Sequence, residues 1–316
     1  MKVLITGAAG FIGSNLADFL LGEGHFVVGI DNFITGSPRN IERLKKNPRF
    51  NFFNFDVALL NEDDKKQLGD FQFQEIYHLA CPTGVPNLTT LSEEMLLANS
   101  YGVKNILDIA LACRSKIIVT SSSEVYGDPK VFPQREDYTG NVNPVGLRSP
   151  YEEGKRFAES LFVMYYRKYN LDARIVRVFN TYGPYMSEKD ERVVPRFIKQ
   201  LSGGEPLTIH GDGTQKRTFC YISDLMRGLM LALRQGTRGE VYNIGGSEEL
   251  TVLDLARLLI GVSGVPSKIN FVPRPAHDHQ ARRPDLSKIA SLGWSQKISL
   301  EEGLSLTLRE PQSAKI

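Results

Sequence analysis

The sequence predicts an α/β fold in which a doubly wound parallel sheet carries a smaller C-terminal lobe. Three observations lead to this prediction. Strand and helix patterns alternate from the first residue to about residue 180, and a glycine-rich turn joins the first strand to the first helix. Beyond residue 180, short helices, isolated strands and loops rich in proline, glycine and arginine replace the alternation. Strands that alternate with helices form parallel sheets covered on both faces.

The individual elements follow from hydrophobic periodicity. The strand patterns are short, apolar and rich in β-branched or aromatic residues, and they occupy 2–6, 25–31, 50–57, 75–80, 116–122 and 172–180. The helix patterns place apolar residues three and four positions apart, and they occupy 12–24, 99–113 and 150–169. Later strands are expected at PLTIHG and EVYNIGG.

The change of pattern divides the chain. We predict a nucleotide-binding domain over 1–180, to which a later segment, about 215–245, returns. The remainder of 181–316 is mainly a substrate-binding lobe. The final residues, EPQSAKI, are expected to form a frayed tail.

Composition and charge exclude several classes of protein. The chain has 316 residues and a net charge of +2, which does not indicate nucleic acid as a partner; ERLKKNPR is interpreted as a solvated helix end rather than a basic patch. Cys81, Cys113 and Cys220 are widely spaced without a C-x-x-C pair, which argues against disulfides or zinc and favours a reducing cytoplasm. The N-terminal apolar run is too short for a signal peptide, and no stretch approaches the roughly 20 apolar residues of a membrane span.

The first turn has the spacing of a dinucleotide-binding motif. GAAGFIGSN places Gly7, Gly10 and Gly13 between a strand and a helix. Gly7 permits the tight turn, Gly10 lets the backbone approach a pyrophosphate, and Gly13 allows close packing of helix against strand. These features predict a Rossmann-type domain.

An acid at the end of the second strand predicts which dinucleotide binds. Asp31 lies 18 residues beyond Gly13, where a carboxylate accepts hydrogen bonds from a ribose diol and repels a 2′-phosphate. The cofactor is therefore predicted to be NAD. Asp56, at the end of the third strand pattern, either holds the adenine or is an ordinary turn aspartate.

A second group of residues predicts proton transfer. Tyr151 and Lys155 share a face at the start of the long helix, and a cation beside a phenol favours the phenolate. The phenolate can accept a proton from an alcohol whose carbon loses a hydride. The strand at 116–122 delivers Ser122 toward the same place, where its hydroxyl can hold a developing ketone.

These motifs resemble the extended short-chain dehydrogenase/reductase family, whose members modify nucleotide sugars, and the resemblance covers nearly the whole chain. HGDGTQKRTFCYISD is similar to the segment that clasps the nucleoside diphosphate, with Arg217 on a phosphate. RVFNTYGP is similar to the strand that places Asn180 on the sugar diphosphate, and LTIHG would carry the base. The resemblance implies cofactor contacts at Gly7, Gly10, Phe11, Ile12, Gly13, Asp31, Asn32, Asp56, Val57, Leu79, Ala80, Asn99, Tyr151 and Lys155. It implies substrate contacts at Asn180, Val194, Thr208, His210, Arg217, Arg274 and Arg282.

Within that family, the end of the fifth strand distinguishes the reactions. The 4,6-dehydratases have Asp-Glu after the Ser/Thr, and the 4-epimerases usually have small or neutral residues there. TSSSEVYGDP, EDYTGNVNPVGLRSPYEEGKR and ARRPDLSKI look most like the UDP-glucuronate decarboxylase group, which makes UDP-xylose. In that group, the residues that match Ser123, Glu124 and Arg282 serve the carboxylate step.

This resemblance explains a carboxylate at the end of a buried strand. Oxidation at C4 of a uronic acid makes a ketone β to the C6 carboxylate, and carbon dioxide then leaves as electrons flow into an enolate. Tyr151 and Ser122 would stabilise its oxygen, and Arg282 would orient the carboxylate. Glu124 would either disfavour the substrate's charge or position a proton or water for C5. The alternative is a salt-bridged acid without a catalytic role.

Some segments depart from the decarboxylase pattern. After HLA the chain reads CPTGVPNLTTLSEEM in place of Ser-Pro-Ala-Ser-Pro, Glu94 replaces a lysine near the substrate acid, and HDH replaces Asp-Asp-Pro. These changes keep open a UDP-sugar 4-epimerase or 4,6-dehydratase that acts on another sugar. A non-catalytic NAD-binding regulator is a further alternative, against which Ser122, Tyr151 and Lys155 argue.

The remaining candidates have structural interpretations. His277 and His279 lack a third ligand in reach and are interpreted as loop polar groups, so no metal is predicted. His78 is interpreted as a near-core histidine and Cys81 as a packing residue. FVMYYRKY, on the long helix, resembles the family's subunit interface, a four-helix bundle, and implies a homodimer.

Overall fold

A computed structural model of the chain describes residues 1–187, 189–274 and 281–309. His277, His279 and the predicted tail at 310–316 lie outside these residues. Within the described ranges, no helix combines the length and the apolar character that crossing a membrane requires.

The strands of the described residues are β1 (Lys2–Thr6), β2 (Phe26–Asp31), β3 (Phe50–Asn54), β4 (Glu75–His78), β5 (Lys116–Ser122), β6 (Ala173–Val178), β7 (Thr181–Tyr182), β8 (Leu207–His210), β9 (Lys216–Thr218), β10 (Cys220–Tyr221), β11 (Val241–Ile244), β12 (Glu249–Thr251) and β13 (Ile269–Val272). The α-helices are α1 (Phe11–Gly22), α2 (Pro38–Leu44), α3 (Glu62–Gly69), α4 (Asn87–Thr90), α5 (Ser92–Leu97), α6 (Val103–Cys113), α7 (Ser149–Tyr169), α8 (Val193–Ser202), α9 (Ile222–Gln235), α10 (Val252–Ser263), α11 (Ser287–Ala290) and α12 (Leu300–Arg309). A π-helical segment, Ala98–Gly102, precedes α6, and a 3₁₀ turn, Ser123–Tyr126, follows β5.

The central sheet confirms the predicted fold class. Seven parallel strands lie in the order β11-β6-β5-β4-β1-β2-β3. The chain adds β2 and β3 on one side of β1, and it then adds β4, β5 and β6 on the other side. The direction of strand addition therefore reverses at β1. Open α/β sheets bind ligands at such a switch point, outside the carboxyl ends of the strands. Thr6, Asp31, His78 and Ser122 end four of these strands and therefore lie along one edge.

Apolar layers cover both faces of the sheet. One buried cluster packs α3, α6 and α7 against the sheet. The other packs α1 and α9 against the opposite face and continues into the lobe through α8 and α10. One face of the central sheet and the segment beyond residue 180 therefore share an apolar cluster.

Element boundaries differ from the sequence prediction in a few places. β3 ends at Asn54, so Asp56 lies two residues beyond the strand rather than at its end. The expected helix over 99–113 begins as a π-helical segment. α3 was not predicted, although Asn61 and Asp64 form a capping box at its start.

The segment 215–245 contributes to both parts of the molecule. β9 pairs with β12 in the lobe, whereas β11 pairs with β6 at the edge of the central sheet. Between them, α9 packs against β5 and β6. The division of function near residue 180 remains our proposal.

Candidate active site

The glycine-rich turn leaves room for a ligand at one position only. A Cβ at Gly13 would lie 2.0 Å from the Gly7 carbonyl oxygen, and one at Gly7 (φ +70°) would lie 2.9 Å from the Ala80 nitrogen. A Cβ at Gly10 would lie 3.2 Å from the Gly7 carbonyl oxygen. Apart from the chain neighbours of Gly10, no other atom of the described residues would lie within 4 Å of that Cβ. Gly7 and Gly13 are therefore needed for packing, whereas Gly10 faces space.

The start of α1 has groups suited to the pyrophosphate of a dinucleotide, and the end of β2 has a group suited to a ribose. Phe11, Ile12 and Gly13 form the first turn of α1, whose backbone N–H groups have no acceptor within the helix. Asp31 is 8% exposed and accepts hydrogen bonds from the Ala9 N–H at 3.0 Å and the Phe33 N–H at 2.7 Å. Burial raises the pKa of Asp31, and these hydrogen bonds oppose that rise.

The residues beside Asp31 are linked to each other. Asn32 Nδ2 donates to Asp56 Oδ2 at 2.8 Å, and Asp56 Oδ1 accepts from the Ala58 N–H at 2.8 Å. Val57 is buried in the apolar cluster on the α6 face. Its side chain is therefore part of the core, and its carbonyl accepts a hydrogen bond from Asn105 Nδ2 at 2.9 Å.

Thr6 organises the backbone after β4. Its Oγ1 accepts hydrogen bonds from the Leu79 and Ala80 N–H groups, both at 3.1 Å, and lies 2.8 Å from His78 Nδ1. Burial, and then the charge of Lys155, lower the pKa of His78 to about 3. His78 is therefore neutral near pH 7 and serves as a buried hydrogen-bonding group.

Ser122, Tyr151 and Lys155 meet at the carboxyl end of β5. The Tyr151 side chain hydrogen-bonds Ser122. Lys155 Nζ donates to the Thr120 carbonyl at 2.9 Å and lies 6.0 Å from the centroid of the Tyr151 ring. The predicted residues are thus brought together where α7 crosses the end of the strand.

The pKa of Tyr151 differs from the sequence-based expectation. Burial raises it, as do the nearby Cys81 and Glu124, while the hydrogen bond to Ser122 and the charge of Arg192 lower it. Lys155 is not among the main causes, since its ammonium is directed to the Thr120 carbonyl. The effect of the Lys155 charge on the phenol stays a prediction, while burial is the largest influence on the pKa of Tyr151 and raises it.

Asn99 connects the cofactor side to α7. It is buried in the π-helical segment, and its Nδ2 donates to the Met95 carbonyl at 2.7 Å and to Cys81 Sγ at 3.1 Å. A Cβ at Gly154 would lie 3.2 Å from this nitrogen, so Gly154 allows α7 to approach closely.

Glu124 is the centre of a charged cluster. Its Oε2 accepts from Arg282 at 2.7 Å and from Arg148 at 2.5 Å. Arg282, at 3% exposure, also donates to Ser123 Oγ at 3.0 Å. In this structure Arg282 thus binds a carboxylate of the protein, and its contact with a substrate carboxylate stays a prediction.

Two arginines of this site were not singled out by the sequence analysis. Arg148 precedes α7 and also donates to Glu152 at 3.1 Å. The spacing of four residues between Arg148 and Glu152 could have predicted this ion pair from the sequence. Arg192 forms an ion pair with Asp190, and its charge acts on Tyr151. No short-range pattern links Arg192 to Tyr151, because they come from different halves of the chain.

The predicted substrate residues lie in the lobe and at its border. Asn180, beyond β6, accepts from the Cys220 N–H through its carbonyl at 2.9 Å, and Val194 has a buried side chain in the first turn of α8. The Thr208 N–H donates to Gln200 Oε1 at 3.1 Å, and Gln200 Nε2 donates to the Thr208 hydroxyl at 2.9 Å.

His210, Arg217 and Arg274 lie near that region. The His210 carbonyl accepts from Gln215 at 2.8 Å, Arg217 lies on β9, and Arg274 is exposed beyond β13. Glu94 is half-buried on α5, a helix that packs against α7.

A site with these parts can bind a dinucleotide and move a proton at a carbon that loses or gains a hydride. That is the chemistry of NAD-dependent enzymes with a Rossmann fold. The open face of Gly10, the free first turn of α1 and the acid at position 31 fit such a cofactor.

Comparisons with known proteins agree. Residues 3–245 match the NAD dependent epimerase/dehydratase family. UDP-glucuronic acid decarboxylase 1 of Arabidopsis thaliana is 43% identical over 307 residues, which cover 96% of this chain and 68% of that protein. UDP-glucuronic acid decarboxylase 1 of Danio rerio is 42% identical over 311 residues, which cover 98% and 72%. The crystal structure of UDP-glucuronic acid 4-epimerase from Bacillus cereus, in complex with UDP-glucuronic acid and NAD, is 36% identical, with a TM-score of 0.85 and 98% of each chain covered.

The chain belongs to the NAD dependent epimerase/dehydratase family. The resemblance inferred from the motifs is thereby confirmed, and the family's NAD dependence agrees with the cofactor predicted from Gly7, Gly10, Gly13 and Asp31.

The state of His78 predicts a pH dependence of folding. Because unfolded His78 binds a proton near its ordinary pKa of 6.5 and the folded residue resists protonation down to about 3, its contribution is complete above pH 6.5 and is lost as pH falls toward 3. We expect this residue to remove roughly 2–3 kcal/mol of unfolding free energy between about pH 6.5 and 4.5. Urea unfolding of His78→Gln should show a correspondingly shallower loss over this interval. The partly exposed His25→Gln variant is the control, and equal slopes for wild type and His78→Gln would contradict the assignment.

Proposed function

We propose that the protein converts UDP-glucuronate to UDP-xylose by oxidation at C4, decarboxylation and reduction at C4. The contact of Arg282 with Ser123 and Glu124, beside Ser122 and Tyr151, carries this proposal. It brings a guanidinium that can take a carboxylate to the same strand end as the groups that act on C4. The relatives named as UDP-glucuronic acid decarboxylases support it.

The residues that the family resemblance implies as cofactor contacts would hold NAD along the carboxyl edge of the sheet. When bound, NAD supplies the hydride acceptor at C4, a positive charge that favours the phenolate of Tyr151, and finally the hydride that restores C4. Asp31 would accept from the ribose, and the first turn of α1 would meet the pyrophosphate.

The residues of the site have separate tasks in this mechanism. Tyr151 takes the proton of the C4 hydroxyl as the C4–H bond breaks, and Ser122 holds the oxygen as it becomes a ketone. The C5–C6 bond then breaks and carbon dioxide leaves. The electron pair of that bond forms the enolate, whose negative charge lies on the C4 oxygen. A proton adds at C5, and Tyr151 returns its proton when C4 is reduced.

The lobe supplies recognition of the nucleotide. We propose that Arg217 and Asn180 contact the diphosphate and the sugar, and that Thr208 and His210 lie beside the base. Val194 would contribute its backbone, because its side chain is in the core. Arg274 is exposed near Gly211 and would add positive charge at the diphosphate end.

A UDP-glucuronate 4-epimerase is the second candidate. The Bacillus cereus enzyme of that name, solved with UDP-glucuronic acid and NAD, covers 98% of this chain. Glu94, in place of a lysine, instead favours the alternative of a UDP-sugar 4-epimerase or 4,6-dehydratase that acts on a sugar without a carboxylate. A non-catalytic regulator is disfavoured by the Ser122, Tyr151 and Lys155 arrangement.

The substrate assignment is tested with purified protein, NAD and UDP-glucuronate. We expect release of carbon dioxide and formation of UDP-xylose. The Tyr151→Phe variant should lose at least about 10³-fold in rate, because the proton acceptor is absent. Formation of UDP-galacturonate without carbon dioxide would show epimerisation instead.

The role of Glu124 is tested by its neutral isostere. In Glu124→Gln we expect the absorbance of the reduced cofactor to appear at a rate within about threefold of wild type, while carbon dioxide release falls about 100-fold. The reason is that the side chain serves the carboxylate step and not hydride removal. An equal loss of both signals would place Glu124 in binding or oxidation.

We propose a homodimer formed through α7. Phe157 and Met164 are exposed apolar residues about two turns apart on one face of this helix, with 53% and 38% exposure. Tyr101, in the π-helical segment before α6, is 62% exposed. Phe157→Asp should convert a dimer to a monomer in analytical ultracentrifugation, because it places a charge in the apolar contact. Lys66→Asp, at an exposed position on α3, should remain dimeric, and a monomeric wild-type protein would contradict the proposal.

A further inference from the structure

The segment that carries Arg282 is held on both sides by short backbone pairings. Before Arg282, Ala281 forms an isolated parallel bridge with Lys216 on β9. After it, Pro284 forms another with Gln134, in the loop that precedes α7. Arg282 itself is almost completely buried, and its guanidinium reaches the turn that follows β5. The two pairings therefore determine where this guanidinium can reach.

Gln134 contacts the later side of this segment through its backbone and its side chain. Its N–H donates to the Arg283 carbonyl at 2.8 Å, and its carbonyl accepts from the Asp285 N–H at 2.8 Å. Its side-chain Oε1 accepts from the Arg283 N–H, also at 2.8 Å. Gln134 is completely buried, so water has little access to these bonds. Loss of the side-chain oxygen would therefore loosen the residue that follows Arg282.

Asn243, on β11, joins the same segment to the turn that carries Glu124. It is completely buried, and its Nδ2 donates to the Gln134 carbonyl at 2.9 Å and to the Asp285 carbonyl at 3.3 Å. Its Oδ1 accepts from the Tyr126 hydroxyl at 2.9 Å, and Tyr126 ends the 3₁₀ turn that contains Glu124. One buried amide thus connects the two segments whose charged side chains meet.

We propose that Gln134 and Asn243 are positioning residues for the carboxylate step. They hold the backbone of Arg282 and the turn of Glu124 at a fixed separation. The inference rests on the proposed decarboxylation. Arg282 bonds Ser123 at 3.0 Å and Glu124 at 2.7 Å, so a displacement of about 1 Å at its backbone would take both contacts beyond hydrogen-bonding distance. A misplacement of that size can cost about 100-fold in rate.

The inference predicts a selective defect for Gln134→Met, which removes the side-chain oxygen and keeps a similar volume. At saturating UDP-glucuronate, carbon dioxide release should fall about 30-fold, because Arg282 is no longer aligned. Reduced cofactor should still form within about threefold of the wild-type rate, because hydride removal does not use Arg282. Reduced cofactor should therefore accumulate, and its absorbance is a signature that a general loss of structure does not produce.

Two controls separate positioning from a general effect on structure. Ser115→Ala removes a buried hydrogen bond at the opposite end of β5, from the Ser115 hydroxyl to the Phe73 carbonyl at 2.7 Å. It should lower the midpoint of thermal unfolding, as Gln134→Met does, and keep the wild-type ratio of carbon dioxide to reduced cofactor. In an Arg282→Met background, Gln134→Met should lower carbon dioxide release by no more than about twofold further, because both changes act through one guanidinium.

A second variant tests the same connection if Gln134→Met does not fold. Tyr126→Phe removes only the hydroxyl that donates to Asn243. It should show the same selective defect, with carbon dioxide release about fivefold below wild type and reduced cofactor formed at a rate within about twofold.

The inference fails if a folded Gln134→Met variant keeps the wild-type ratio of carbon dioxide to reduced cofactor. It also fails if both signals fall together, if Ser115→Ala shows the same defect, or if the losses in the double variant with Arg282→Met are additive. In each of these cases the wild-type protein still releases carbon dioxide, and the proposed function stands. Absence of carbon dioxide from the wild-type protein would overturn the proposed function, and this inference with it.

Discussion

The site depends on one buried hydrogen bond, from Lys155 Nζ to the Thr120 carbonyl. This bond fastens the first turns of α7 to the last residues of β5, and it is made away from water, where an unpaired ammonium would be costly. It sets the distance at which Tyr151 meets Ser122 and brings Arg148 beside the turn that carries Glu124. Lys155 therefore acts on the geometry first, and its charge reaches the phenol only across the face of the ring.

Charge is distributed unevenly around this anchor. Close to the anchor on the predicted cofactor side, His78 is uncharged and Asn99 is bonded to Cys81 and Met95. On the sugar side, Glu124 is bonded to both Arg148 and Arg282. A uronic acid would enter on the second side, where guanidiniums are already committed to carboxylates. Under the proposed function, a uronic acid that binds Arg282 would therefore compete with Glu124 for its guanidinium.

Local patterns predicted the parts of the fold and site that local physics determines. The turn at Gly7, the acid at Asp31 and the Tyr151–Lys155 spacing are short-range features, and the structure places them along one sheet edge. The ion pairs of Glu124 were not predictable, since Arg282 is 158 residues away and only the folded chain brings it there. Burial, the largest influence on the pKa of Tyr151, likewise cannot be seen from a spacing of four residues.

The position of β11 constrains how this architecture can be assembled. The last strand of the central sheet is supplied only after the chain has passed through α8, β8 and α9, and it covers the edge of β6. Until this later segment has been synthesised, β6 is an edge of the sheet, and its unpaired N–H and C=O groups can pair with another strand. The pairing of β11 with β6 therefore couples completion of the central sheet to the part of the chain beyond residue 180.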